Sequence, residues 1–212
     1  SLATQAAHTH GAKIALILGP DKTSIYPEFL PEVITPSPIR YSAFFLDELK
    51  TIERLTVYDP SVDLIAAKNT EGLLYWRTDT HWNAKGAYLA YVGLMKHLSL
   101  PYVDLSFKQG EVRPGDLIGI SKLKDFPIRP DDHWEVLWTK PGDSESKALV
   151  PLHIWVVGDS FTEGLKDYLN ASFSQVHYLG HWDQKLKTLP QELEQAPKKP
   201  DLILVVRVER SF

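Results

Sequence analysis

The chain has 212 residues, of which 43% are hydrophobic, enough for one domain with a sizeable core. Its net charge of −4 does not indicate a nucleic-acid partner or an anionic membrane surface. There is no cysteine, which excludes disulfides and thiolate metal sites, and no run of 18 apolar residues predicts a transmembrane helix.

Apolar runs and helical periodicity alternate along the chain. They predict strands at 13–18, 55–58, 154–157, 175–179 and 202–206, and helices at 41–52, 62–68, 84–98 and 161–169. This alternation predicts an α/β fold with a mostly parallel sheet.

An acid and a base precede the longest predicted helix. Asn83 is a good N-cap for the helix at 84–98, whose apolar residues recur on one face. Asp79 and His81 therefore lie in a loop that a core helix holds in place, and this loop is called the acid–base loop below. If the loop turns back on itself, the carboxylate orients the imidazole; otherwise both are ordinary surface residues beside a buried Trp82.

The segment 101–152 is rich in proline, glycine and aspartate, with strand-like pieces at 117–120 and 134–138. A loop of this length in a compact domain is usually functional or has its own small structure. Because it lies between the acid–base loop and the later serine, we expect it to shape a substrate groove or form a lid. The alternative is a decorated surface loop.

A serine follows the strand predicted at 154–157, which is β-branched or aromatic throughout and should be buried on both faces. This strand stops at Gly158, Asp159 and Ser160, and a helix follows. The turn places Ser160 at the carboxyl edge of the sheet, where open α/β proteins bind ligands, with its N–H at a helix N-terminus. The alternative is that Ser160 or Asp159 only caps the helix.

These observations together predict a triad of Ser160, His81 and Asp79. The segment Asp131-Asp132-His133-Trp134 repeats the acid-x-base-Trp pattern, but a strand and not a capped helix follows it, so we interpret it as a decoy. The spacings of His8 with His10 and of His177 with His181 are loosely metal-like. Neither pair has a clustered acidic or thiolate partner, and we predict no metal and no cofactor.

Several blocks carry a family resemblance: Gly-Asp-Ser-Phe at 158–161, Arg-Thr-Asp-Thr-His-Trp-Asn at 77–83, Gly-Pro-Asp-Lys at 19–22 before Ile-Tyr-Pro-Glu at 25–28, and Pro-Asp-Leu-Ile-Leu-Val-Val at 200–206. They resemble the SGNH hydrolase-like domains of the alginate O-acetyltransferase AlgJ/AlgX family. The blocks span nearly the whole chain in that family's order, which is circularly permuted relative to ordinary SGNH esterases.

The resemblance implies an SGNH-hydrolase-like, flavodoxin-like three-layer fold, with residues 1–212 as one catalytic domain and an inserted region at about 101–152. The chain begins at Ser1 without the Gly-rich opening segment of such proteins. We therefore expect a processed or excised fragment, with a possible membrane tether outside it.

The resemblance also implies roles for the site residues. Ser160 would be the nucleophile, and the N–H groups of Ser160 and Gly180 would hold the oxyanion. The family's asparagine is absent after the strand at 202–206, so Arg207 or Arg210 would stand nearby, unless these arginines form an edge salt bridge with Glu209. Among the tryptophans, Trp82 and Trp182 would line a sugar-binding groove, with core packing as the alternative.

The implied activity is that of a periplasmic O-acetyltransferase acting on an exported polysaccharide, as in alginate biosynthesis. A membrane-bound acyltransferase partner would supply the acetyl groups. Two alternatives remain open: an SGNH acetylesterase acting on the same polymer, and a non-catalytic scaffold that binds the polysaccharide in a secretion complex.

Overall fold

The computed structural model describes residues 2–123, 125–138 and 149–212. The strands are β1 (Lys13–Gly19), β2 (Leu55–Tyr58), β3 (Ser106–Gln109), β4 (Trp134–Leu137), β5 (Val150–Gly158), β6 (Phe173–Gly180) and β7 (Leu202–Val208). The helices are α1 (Leu2–Thr9), α2 (Lys22–Ile25), α3 (Tyr41–Lys50), α4 (Ser61–Ala67), α5 (Ala84–His97), α6 (Asp116–Ser121), α7 (Lys166–Ser172) and α8 (Trp182–Gln195). None of the helices in these ranges is long and apolar enough to cross a membrane.

The main sheet has five strands in the order β2-β1-β7-β5-β6, and every neighbouring pair is parallel. Because side chains alternate along a strand, β5 sends Ile154 and Val156 into one core and Trp155 and Val157 into the other. The first core lies under α5 and α7, and the second under α1, α3 and α8. This three-layer α/β arrangement confirms the predicted fold.

The inserted region differs from the sequence prediction in one element. Residues 117–120 are not a strand but part of α6, because the first turn of this helix finds hydrogen-bond acceptors in the loop before α5. Gly115 N donates to Thr78 Oγ1 at 3.0 Å, and Leu117 N donates to Thr78 O at 3.0 Å. The strand predicted at 134–138 is β4, and it pairs antiparallel with β3, which was not predicted. Residues 139–148 of the predicted insertion lie outside the described residues.

The predicted helix at 161–169 is divided in two. The chain leaves β5 into a 3-10 turn, Ser160–Leu165, and becomes α-helical only at Lys166. The tighter turn keeps Phe161 and Leu165 fully buried while Ser160 stays exposed.

Asn83 joins three parts of the chain at the start of α5. Its Oδ1 accepts from Gly86 N at 3.1 Å, which caps the helix. Its Nδ2 donates to Leu73 O at 2.7 Å and to Asp132 O at 3.0 Å. The side chain is 1% exposed, so these groups have no access to water. Asn83 thus fixes the acid–base loop to both the helix and the insertion.

We expect Asn83→Ala to lower the free energy of unfolding by about 2–4 kcal/mol, because it removes a helix cap and leaves buried carbonyls without donors. Asn69→Ala, at an exposed position, is the control and should change it by about 0.5 kcal/mol or less. Urea unfolding monitored by circular dichroism measures both. Equal stability of the two variants would contradict this role for Asn83.

Candidate active site

The turn that carries Ser160, the predicted nucleophile, is called the nucleophile turn below, and it is built at the carboxyl end of β5. Asp159 precedes the 3-10 turn and caps it, since its Oδ1 accepts from Phe161 N at 3.0 Å. Its Oδ2 accepts from Val208 N at 2.6 Å and from Trp182 Nε1 at 3.2 Å. The carboxylate therefore ties the turn to the end of β7 and to α8. Asp159 holds the backbone that presents Ser160.

Gly158 is required just before that turn. A Cβ at this position would lie 2.1 Å from Thr162 Oγ1 and 2.9 Å from Val206 Cβ. Any side chain here would push the turn away from β7, and Ser160 would move with it.

Ser160, His81 and Asp79 form one hydrogen-bonded series. His81 Nε2 lies 2.7 Å from Ser160 Oγ, and His81 Nδ1 lies 2.6 Å from Asp79 Oδ1. Asp79 Oδ1 also accepts from His81 N at 3.0 Å, so the loop turns back on itself. A carboxylate only accepts, which places the proton on Nδ1 and leaves Nε2 free to accept the Ser160 hydroxyl proton. The structure thus brings the three predicted residues together in the predicted order.

Asp79 is held as a carboxylate. Partial burial acts to raise the pKa of Asp79, but hydrogen bonds from His81 Nδ1, Asp116 N and His81 N together outweigh it and hold that pKa well below its usual range. The Asp116 N–H donates to Asp79 Oδ2 at 2.9 Å. Each oxygen of Asp79 therefore has its own donors, one set from the loop and one from the insertion.

The insertion docks on the acid–base loop through reciprocal hydrogen bonds. While its backbone N–H donates to Asp79, the Asp116 carboxylate accepts from Thr80 N at 3.0 Å and from Thr80 Oγ1 at 2.7 Å. At Gly115, a Cβ would lie 2.3 Å from Thr78 O and 2.6 Å from Asp79 Cβ. This contact is so close that only glycine fits at residue 115.

Lys22 supports the same loop from the other side. Its Nζ donates to the carbonyls of Trp76 at 2.7 Å, Arg77 at 2.9 Å and Asp79 at 2.9 Å. Burial lowers the pKa of Lys22, and the nearby carboxylates of Asp79, Asp132 and Asp116 oppose that shift. In the sequence, Lys22 was noted only as part of the Gly-Pro-Asp-Lys block. Its supporting role could not be predicted, because the three carbonyls that it binds lie more than 50 residues away along the chain.

A cavity of about 720 Å³ opens over Ser160. Besides the triad and Trp82, it is lined by three tryptophans that sequence reasoning did not select: Trp76, Trp134 and Trp138. Trp134 lies on β4 and Trp138 immediately follows that strand, so the insertion forms one wall of this cavity. The prediction that the insertion shapes a groove agrees with this arrangement.

The other residues selected from the sequence lie elsewhere. Trp82 borders the cavity but is 2% exposed and packs edge-on against Phe161 at 4.9 Å between ring centroids. The guanidinium of Arg207 lies 4.2 Å from the Trp182 ring centroid, and that of Arg210 pairs with Asp21 at 2.6 Å. The lining of the cavity, within the described residues, includes none of these: Gly180, Trp182, Arg207, Arg210. Their roles in oxyanion or substrate binding stay predictions.

Glu209, considered as a salt-bridge partner for these arginines, pairs instead with Arg40 and accepts from Ser42 Oγ at 2.7 Å.

The second Asp–His pair is a buried structural contact. His133 Nδ1 lies 2.6 Å from Asp132 Oδ1, and His133 Nε2 lies 2.9 Å from Arg113 O. Both side chains are 1% exposed, and Asp132 Oδ2 accepts from Arg77 N. This pair fixes the insertion to the loop. Asp131, the acid two residues before His133 in the predicted decoy, pairs instead with Arg77.

Asp79, His81 and Asp116 have ligand atoms within 4.8 Å of one another, a spacing that could hold a cation. In each case the atoms concerned already bind the triad or Thr80. Hydrogen bonding accounts for this cluster without a metal.

A serine activated in this way should react with a sulfonyl fluoride, and the docking of the insertion should control the rate. We expect Gly115→Ala to slow labelling of Ser160 about 10- to 100-fold, because a shift of about 1 Å in a reacting group has this effect. Gly119→Ala, in α6, which Gly115 caps, has nothing within 4 Å of its Cβ and is the matched control. Mass spectrometry measures the labelling rate, and equal rates in the two variants would refute a positioning role for the insertion.

Several solved structures share this fold. The O-acetyltransferase domain of Pseudomonas putida AlgJ is 21% identical and has a TM-score of 0.66, covering 98% of this chain and 78% of that one. Bacillus cereus PatB1 is 16% identical with a TM-score of 0.65, covering 99% and 86%. Pseudomonas aeruginosa AlgX is 16% identical with a TM-score of 0.58, covering 98% and 55%. At these identities the likeness establishes the fold alone.

Among curated protein sequences none matches the chain. The sequence profile described as "SGNH hydrolase-like domain, acetyltransferase AlgX" matches residues 2–181. That range covers most of the chain and contains both the acid–base loop and the nucleophile turn. The chain therefore belongs to the family of SGNH hydrolase-like acetyltransferase domains represented by AlgX.

Proposed function

We propose that this protein is an O-acetyltransferase that moves an acetyl group to hydroxyls of an exported polysaccharide through an acetyl-Ser160 intermediate. The observation that carries the proposal is the Ser160–His81–Asp79 series, which opens into a cavity walled by tryptophans. Family membership supports acetyl transfer as the chemistry.

In the first half-reaction, Ser160 Oγ attacks the carbonyl carbon of an acetyl ester while its proton moves to His81 Nε2. The bond from that carbon to the donor alkoxide breaks, and the leaving oxygen takes the proton from His81. Asp79 stabilises the imidazolium that forms between these two proton transfers. The products are the donor alcohol and acetyl-Ser160.

In the second half-reaction, a sugar hydroxyl gives its proton to His81 Nε2 and attacks the acetyl carbon. The bond to Ser160 Oγ breaks, and the serine recovers its proton from His81. The net change is transfer of one acetyl group from the donor ester to the sugar hydroxyl, with no cofactor. In both halves the Ser160 N–H, and in our proposal the Gly180 N–H, bind the oxyanion. Such donors contribute about 10²–10³ in rate each.

The proposed setting follows from the family. We place the protein in the periplasm as a single catalytic domain, supplied with acetyl groups by a membrane-bound acyltransferase. The similar structure of the O-acetyltransferase domain of Pseudomonas putida AlgJ supports the acetyl-transfer part of this proposal.

Ser160→Ala and His81→Ala should each abolish turnover of a chromogenic acetyl ester. The double variant should lose little more than either single variant, because the two groups act as a unit. Steady-state kinetics with p-nitrophenyl acetate measure this, with Ser174→Ala, an exposed serine on β6, as the control. Turnover that persists in Ser160→Ala would remove the proposed nucleophile.

Transfer, hydrolysis and mere binding differ in the fate of the acetyl group. An acceptor bound in near-attack geometry has an effective molarity of roughly 10⁵ M or more, which outcompetes water. A glycan oligomer should therefore speed consumption of the acetyl ester and gain acetyl groups, detected by mass spectrometry. Loss of acetyl groups from pre-acetylated polymer without any gain by oligomers would indicate an esterase. Polymer binding with no turnover of either kind would indicate a scaffold.

A further inference from the structure

We infer that the cavity over Ser160 takes an uncharged hexose polymer, and not a polyuronate, as its acyl acceptor. This inference rests on the proposed function, since an acyl acceptor presupposes acyl transfer. It concerns binding, however, and can be tested without turnover.

The first observation is the aromatic wall. Trp138 is 44% exposed and lies 6.3 Å, centroid to centroid, from the ring of Tyr168, and Trp76 is partly exposed. Trp134 offers less open surface, because Lys85 Nζ lies over its ring at 3.8 Å from the centroid. Edge contact of Trp76 with the buried His133 ring, at 4.6 Å, fixes its orientation. Rigid indole faces open to solvent beside a nucleophile match the C–H faces of pyranose rings, which have apolar bodies and polar edges.

The second observation is the charge of the cavity. Among the described residues, four carboxylates line it, those of Asp79, Glu135, Glu163 and Asp167, against the single guanidinium of Arg113. A polyuronate would bring one further carboxylate with each sugar ring, and cationic arginine guanidinium or lysine ammonium groups are the usual partners of such carboxylates. Within the described residues, no lysine lines this cavity.

Ion pairs at the rim do not reverse that charge. Glu135 pairs with Lys108 at 3.0 Å and Glu163 with Lys166 at 2.6 Å, while the one guanidinium, Arg113, pairs with Glu111 at 3.2 Å. These pairs are exposed, so water screens them and each contributes little. With these partners and with Lys85, which lies over Trp134, the described residues give five carboxylates against four cations, so the rim remains negative.

The carboxylates of Glu135, Glu163 and Asp167 suit a neutral sugar, whereas that of Asp79 already accepts from His81 and Asp116. A carboxylate is an acceptor only, and an uncharged hexose offers several hydroxyl donors around its ring. Exposed indole faces combined with hydroxyl acceptors therefore select for an uncharged chain, while the negative rim repels an anionic one.

The test compares matched oligomers on Ser160→Ala, which has no nucleophile, with tryptophan fluorescence as the readout. The pairs are manno-oligosaccharide with oligomannuronate, and cello-oligosaccharide with the corresponding cellouronate, at equal chain length. We expect the neutral member of at least one pair to bind about 10-fold or more tightly than its uronate in 10 mM salt. The gap should narrow at 0.5 M salt, where screening shortens the range of the repulsion.

Two variants separate stacking from charge. Trp138→Ala should weaken binding of the neutral oligomer about 10-fold, whereas Phe44→Ala, an exposed aromatic on α3, should not. Glu163→Gln combined with Asp167→Asn should improve uronate binding several-fold relative to neutral binding. The control with the same charge change, Asp47→Asn with Glu48→Gln on α3, should leave that ratio unchanged.

Tighter binding of both uronates, weakening as salt rises, would overturn the inference, and so would failure of every oligomer to bind. Neither result bears on hydrolysis of p-nitrophenyl acetate by the parent protein, which tests the proposed chemistry separately. Conversely, selective binding of the neutral oligomers with no acetyl transfer would uphold this inference and contradict the proposed function.

Discussion

The carboxylate of Asp79 is the group on which the site depends. One oxygen accepts from the His81 ring and the His81 backbone, and the other accepts from the Asp116 backbone. A single side chain thus orients the base and receives the insertion that forms a wall of the cavity. Because the proton on Nδ1 is fixed by this contact, Nε2 is left to face Ser160. The chemistry and the shape of the cavity have a common anchor.

Buried polar contacts hold that anchor in place from three directions. Lys22 binds three carbonyls of the loop, Asn83 binds the residues on either side of it, and the Asp132–His133 pair binds the insertion. Each would be costly to bury alone. Lys22 is satisfied by the loop itself, whereas Asn83 and Asp132 each have partners in both the loop region and the insertion. The arrangement of the loop therefore depends on the whole domain and not on its own sequence.

Local patterns were sufficient for the triad but not for the cavity. Asp79, His81 and Ser160 could be placed because each adjoins an element with a clear boundary, namely a capped helix or a strand that ends at Gly158. The wall formed by Trp134 and Trp138 depends on how the insertion docks, which no local pattern encodes. The error at α6 has the same origin, since a run of four residues is compatible with a strand or a helix. Contacts with Thr78 and Asp79 select the helix at this position.

Helix α8 was not predicted because Pro190 and its many polar residues obscure the buried Leu189 and Leu193.

The proposed acetyl-Ser160 intermediate can be tested by locating the acetyl group on the protein. The protein would be mixed with an acetyl ester in the absence of acceptor, quenched in acid during the first turnover, digested and mapped by mass spectrometry. We expect one acetyl group on the peptide that contains Ser160, and none on that peptide in His81→Ala. Ester consumption with no acetyl group on Ser160, or with the acetyl group on another residue, would contradict the proposed intermediate.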